Sequence, residues 1–124
     1  MVNFDNSSRA IYLQIVDRVC DEILAGRYAE GQRLPSVREL AGMLQVNANT
    51  VMRSYDRLAS DCIIANRRGI GYFVAEDASE HVRNLKIASL IDNQMEGIFR
   101  QLELLGITPA QLADQYQHFL DSQK

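Results

Sequence analysis

The 124-residue sequence predicts a mainly α fold with a small β-hairpin. Three observations predict it. Apolar residues recur at helical spacing in three successive N-terminal segments, the second and third separated by only about three residues. Two short β-branched and aromatic runs follow, joined by a connection rich in glycine and arginine. Beyond them lie a heptad seam and a last segment with a strong helix start, which predict two more helices.

In the first segment Ile11, Ile15, Val19 and Ile23, flanked by Tyr12 and Val16, make one stripe ending at Gly26. This reads as a helix over about 10–25 closed by a left-handed glycine. After a loop holding Gly31 and Pro35, Ser36-Val37-Arg38-Glu39 reads as a capping box that opens a helix over 37–44. Its apolar side is Val37, Leu40, Ala41 and Leu44. Asn47 is a good N-cap for a third helix over 48–60, with Val51, Tyr55 and Leu58 turned inward.

Ile63–Asn66 and Tyr72–Val74 are the strand-like runs, and Arg67-Arg68-Gly69-Ile70-Gly71 joins them, so the hairpin has a basic tip. From about Ser79 a long helix begins. Ala88, Ile91, Met95, Ile98, Leu102 and Leu105 fall at alternating spacings of three and four, a heptad seam that stops at Gly106. Thr108-Pro109-Ala110-Gln111 opens the last helix, with threonine as N-cap and proline at the first helical position.

Helix, helix, short turn, helix and hairpin is the order of a winged helix-turn-helix, whose third helix enters the DNA major groove. The expectation is therefore a winged helix-turn-helix over residues 1–75 and a two-helix C-terminal dimerisation tail over 76–124. Charge divides the same way. Residues 1–75 hold nine arginines against eight carboxylates, net +1, whereas 76–124 hold four basic residues against eight acids, net −4. Within 33–68 six arginines face three acids, a local +3. Arginine suits phosphates and guanine edges.

Several function classes find no support in the residues. No apolar run approaches the length of a membrane span, and MVNFDNSSRA has neither a basic n-region nor an apolar h-region, so a cytoplasmic protein is expected. Cys20 and Cys62 lie in otherwise apolar, helix-like segments and read as buried reduced thiols. His81 and His118 are far apart with no cysteine beside either, so no metal is expected. Gly69-Ile70-Gly71 lacks the third glycine and the strand-to-helix setting of a nucleotide loop. No nucleophile–base set or carboxylate pair converges, so neither an enzyme nor a cofactor is expected.

The outward residues of the third helix are Ala48, Asn49, Met52, Arg53, Asp56 and Arg57, with Asn47 and Thr50 at its start. More specific are the blocks Leu34-Pro35-Ser36-Val37-Arg38-Glu39-Leu40-Ala41 and Val46-Asn47 followed, one residue on, by Asn49-Thr50-Val51, together with Tyr12, Gln14-Ile15, Tyr55, Arg68-Gly69, Gly71 and Phe73-Val74. Across residues 10–75 these closely resemble the DNA-binding domain of the GntR family. The short remainder resembles the YtrA branch rather than larger members, which append a metabolite-binding domain. The resemblance implies DNA contacts from Ser36, Arg38, Asn47, Asn49, Thr50 and Arg53, with Arg68 and Gly69 contributed by the wing. Many family members carry glycine where Gln45 and Cys62 stand; if φ is positive there, each costs about 1 kcal/mol. Ala48 fills a slot that often holds arginine or proline, so one direct base contact is missing.

The tail helix is apolar around much of its circumference, since Leu85, Ile87, Leu90, Phe99 and Leu104 add to the seam. That is more than one short partner helix covers, and a two-fold dimer is the economical solution. The sequence therefore predicts a sequence-specific transcriptional regulator, a repressor acting as a homodimer on a palindromic operator in double-stranded DNA, with no effector specified. The competing reading is a winged-helix protein-interaction module without specific DNA binding, motivated by Ala48 and the modest charge.

Overall fold

In the computed structural model the described residues are 10–124, so the sequence reading of the first nine lies outside them. Helices α1 (Ile11–Leu24), α2 (Val37–Leu44) and α3 (Ala48–Ser60) lead into an antiparallel hairpin of β1 (Ile64–Arg67) and β2 (Gly71–Val74). Then come α4 (Ala78–Ser89), a π-helical turn over Leu90–Met95, α5 (Glu96–Leu104) and α6 (Pro109–Ser122). The chain divides into two compact units, one ending at Leu85 and one from Lys86 to Lys124.

The first unit is built around α3, which packs against both α1 and α2. Val51, Tyr55 and Leu58 of α3 are fully buried, and they meet Ile15, Val19 and Ile23 of α1 and Leu40 and Leu44 of α2 in one apolar core. Val74, Ile63 and Ile64 close it from the hairpin side, and Ala78 and Val82 bring the start of α4 into the same core. The expected stripe of α1 is corrected at its first position. Ile11 is 47% exposed, because as the first residue of α1 it lies outside the core that begins at Ile15, and the buried positions are Ile15, Val16, Val19, Cys20 and Ile23.

The capping box of α2 is complete: Glu39 N–H donates to Ser36 Oγ at 3.1 Å and Ser36 N–H donates to the Glu39 carboxylate at 3.0 Å. At α3, Asn47 Oδ1 accepts from Asn49 N–H at 2.7 Å. Helices end on left-handed residues that turn the chain back so that orphan carbonyls find donors. After α1 and α5 these are Gly26 (φ +82) and Gly106 (φ +70). After α2 and α3 they are Gln45 (φ +56) and Cys62 (φ +61), where a side chain is strained. Cys62 is therefore corrected twice. It lies past the end of α3 rather than within a helix, and its thiol is exposed rather than buried.

β1 and β2 pair from Ile64 opposite Val74 to Arg67 opposite Gly71, so only residues 68–70 form the connection. The loop before α2 adds a third, unforeseen edge. Gly31 and Leu34 donate backbone N–H groups to the carbonyls of Val74 and Tyr72, both at 2.8 Å, and Arg33 bridges to Phe73.

The second unit departs most from the heptad expectation. Six residues wind as a π turn, in which hydrogen bonds reach one residue further, so the positions after it are set back by roughly one residue relative to a straight α-helix. Ala88 and Ile91 therefore do not share one straight stripe with Ile98 and Leu105. No described residue from Lys86 onward is buried, and Met95 and Leu102 are the half-buried members of the expected seam. The α5–α6 junction is closed as expected, with Thr108 and Gln111 forming a second capping box. No helix among the described residues is long and apolar enough to cross a membrane.

Candidate nucleic-acid interface

Burial of Val51, Tyr55 and Leu58 fixes which side of α3 faces outward. Ala48, Asn49, Met52, Arg53, Asp56 and Arg57 are all exposed, as the sequence predicts, and Thr50 is half-buried. The helix is held in rotation by two polar anchors. Tyr55 donates its hydroxyl to the Pro35 carbonyl at 2.7 Å, with its ring edge-on to Tyr72 at 4.8 Å between centroids. The buried Ser54 hydroxyl lies 2.7 Å from the Tyr12 carbonyl of α1 and 3.0 Å from the Thr50 carbonyl of its own helix. Burial pushes the Tyr55 and Tyr72 hydroxyls above the ordinary tyrosine range, keeping both protonated as donors.

The side chains of the outward face are not equivalent. Arg57 Nε donates to Asp61 Oδ2 at 3.2 Å, which neutralises its charge locally. Arg53 instead lies over the Tyr12 ring, 3.9 Å from its centroid. Met52 Sδ accepts from the Tyr72 hydroxyl at 3.7 Å, linking the face to the hairpin. Asn47 has its Oδ1 committed to the cap, and Ser36 likewise has its Oγ in the capping box, while Arg38 stands exposed in the first turn of α2. The Glu39 carboxyl is held below the usual carboxylate range, first by the Ser36 backbone N–H and then by the Ser36 side chain.

At the wing, Ile70 N–H donates to the Arg67 carbonyl at 2.9 Å, closing a turn with Arg68 and Gly69 at its tip. Gly69 has φ +75, a conformation that few side-chain-bearing residues adopt. Arg67 is drawn back over Phe73, 4.4 Å from its ring centroid, which leaves Arg68 as the guanidinium at the tip. Sequence reasoning missed Arg33 at the wing's base. A Cβ placed on Gly71 would come within 3.0 Å of its Nε, so the glycine leaves room for the arginine. The loop that carries Arg33 joins the hairpin through non-local pairing, for which no local pattern gives a signal. Among the described residues no three His, Cys, Asp or Glu side chains cluster as metal ligands.

The expected contact residues thus gather around one outward helix and its two flanks in the first unit. Residues 11–74 match the family of bacterial regulatory proteins called the gntR family. This chain belongs to the GntR family. It is 37% identical over 121 residues to the helix-turn-helix-type transcriptional regulator YhcF of Bacillus subtilis, covering 98% of both chains. It is 36% identical over 106 residues to the transcriptional repressor YtrA of the same organism, covering 85% of this chain and 75% of that one. A crystal structure of a GntR-family regulator from Bacteroides thetaiotaomicron superimposes with a TM-score of 0.82 at 47% identity, covering 93% of this chain and all of that one. The family and these relatives are transcriptional regulators rather than enzymes, and this GntR chain is a DNA-binding transcriptional regulator with a winged helix-turn-helix.

Proposed function

We propose that this protein is a cytoplasmic repressor that binds a palindromic operator as a homodimer, with residues 1–75 as the DNA-binding domain and residues 76–124 as the dimerisation tail. α3 enters the major groove. Asn47, Asn49, Thr50 and Arg53 read or grip the DNA there, Ser36 and Arg38 hold a phosphate at the start of α2, and Arg68 with Gly69 enters the minor groove. The observation that carries this reading is the outward face of α3, where the Arg53 guanidinium rests on the Tyr12 ring whereas neighbouring Arg57 is ion-paired to Asp61. The repressor direction draws on YtrA, a relative of similar size named as one. A module seated on a promoter also blocks polymerase most simply by occupying the site.

The test is binding to the chain's own upstream region against a scrambled duplex at physiological salt, with Arg38→Ala and Arg53→Ala alongside. The wild type should prefer its own region by at least about a thousandfold. Each variant should weaken binding and flatten the salt dependence by about one unit of log–log slope, with the thermal midpoint nearly unchanged. Equal, weak binding to both duplexes would instead support a protein-interaction module.

A further inference from the structure

We propose that Tyr12 is a positioning residue for operator recognition, holding the Arg53 guanidinium in its DNA-ready orientation from the first helix; this rests on the reading that Arg53 contacts DNA. Tyr12 stands in the first turn of α1, outside the helix-turn-helix, where its ring is half-buried. Arg53 lies with its Cζ 3.9 Å from the centre of that ring, within contact distance of the π face. The arrangement is anchored from behind: the fully buried hydroxyl of Ser54, the residue next to Arg53, bonds the Tyr12 carbonyl at 2.7 Å. Ring and guanidinium are therefore tied at the backbone as well as at the side chains.

The chemistry of the contact explains what it does. A guanidinium stacked on a ring uses its face, while its five N–H donors lie in the plane of the fork. Arg53 so held keeps its in-plane donors for a paired acceptor on DNA, either the O6 and N7 of a guanine or two phosphate oxygens. An ion pair would occupy those donors, as Asp61 occupies the Nε of Arg57. Arg53 has its guanidinium over a ring instead. A long side chain that is already ordered in the unbound protein loses less freedom on binding, which is worth roughly threefold to tenfold in affinity.

The experiment places Tyr12→Leu and Tyr12→Phe in the wild-type and Arg53→Ala backgrounds. Affinity is measured on the upstream duplex, and the Arg53 Nε resonance is followed by NMR in the absence of DNA. Tyr12→Leu should weaken binding about threefold to tenfold and move the Arg53 resonance out of the ring-current field. Tyr12→Phe should leave affinity within twofold and the resonance in place. In the Arg53→Ala background Tyr12→Leu should cost nothing further, whatever it does to the thermal midpoint. Replacing a guanine by its isosteric alternatives, and varying the salt, separates a base acceptor from phosphate. If Arg53→Ala weakens binding but Tyr12→Leu does not, or costs the same in both backgrounds, the positioning role is overturned and the Arg53 contact stands. If Arg53→Ala itself binds normally, the contact falls and the positioning role with it.

Discussion

Gln45 and Cys62 hold left-handed backbone that their side chains disfavour, and both side chains point into solvent where they gain little in return. A glycine at either place would relieve about 1 kcal/mol of strain, offset in part by the greater freedom of the unfolded chain. Gln45→Gly and Cys62→Gly should each stabilise the protein by up to about 0.5 kcal/mol in urea unfolding, whereas Gly26→Ala should destabilise it by a similar amount. A loss of stability in both glycine variants would show that these side chains make contacts that outweigh the strain. Glu39 gives a second expectation at this scale. Its folded-state pKa is lowered, so its contribution is present above the unfolded value of about 4.5 and is lost as pH falls through the lowered one. The thermal midpoint should therefore drop across the acid range, and Glu39→Gln, which keeps an acceptor for the cap but no charge, should flatten that part of the profile. An unaltered profile would mean that other carboxylates carry the acid sensitivity.

Each element was legible to the extent that its signals are local. α2 and α3 fall where the capping box at Ser36 and the N-cap at Asn47 place them, because those hydrogen bonds join residues two or three apart. The exposed side of α3 followed from the spacing of Val51, Tyr55 and Leu58. The Ser54 anchor did not, since its partner Tyr12 lies 42 residues away. The loop strand at residues 31–34 is likewise set by the hairpin it joins, and the π turn left no mark in an apolar pattern that satisfies a straight helix equally well. At the wing, the turn geometry leaves Arg68 at the tip beside a glycine, the shape that suits a narrow, strongly negative minor groove. Arg68→Ala should cost affinity chiefly on operators with A·T-rich flanks. Equal loss on G·C-rich flanks would reduce Arg68 to an ordinary phosphate contact.

Across the whole molecule the sequence divides its labour by charge and by surface. The arginines cluster in residues 33–68, whereas residues 76–124 are acidic and suit a role away from the phosphate backbone. From Lys86 onward no described residue is buried: Ile91 is 54% exposed, Leu105 74% and Leu104 84%, with Phe99 and Phe119 also open. In the dimer we propose, a second copy covers this apolar surface, and a two-fold axis would present two α3 helices to half-sites about one DNA turn apart. The most direct measurement is the affinity of the full chain for the site footprinted in its own upstream region, compared with one isolated half of that site, for the wild type and for Ile91→Asp with Ile98→Asp. The wild type should bind the whole site at least about a hundredfold more tightly than the half, and the double variant should lose that advantage while keeping the half-site affinity. Equal affinity of the wild type for whole site and half-site, or an unchanged ratio in the double variant, would contradict a dimer assembled through this tail.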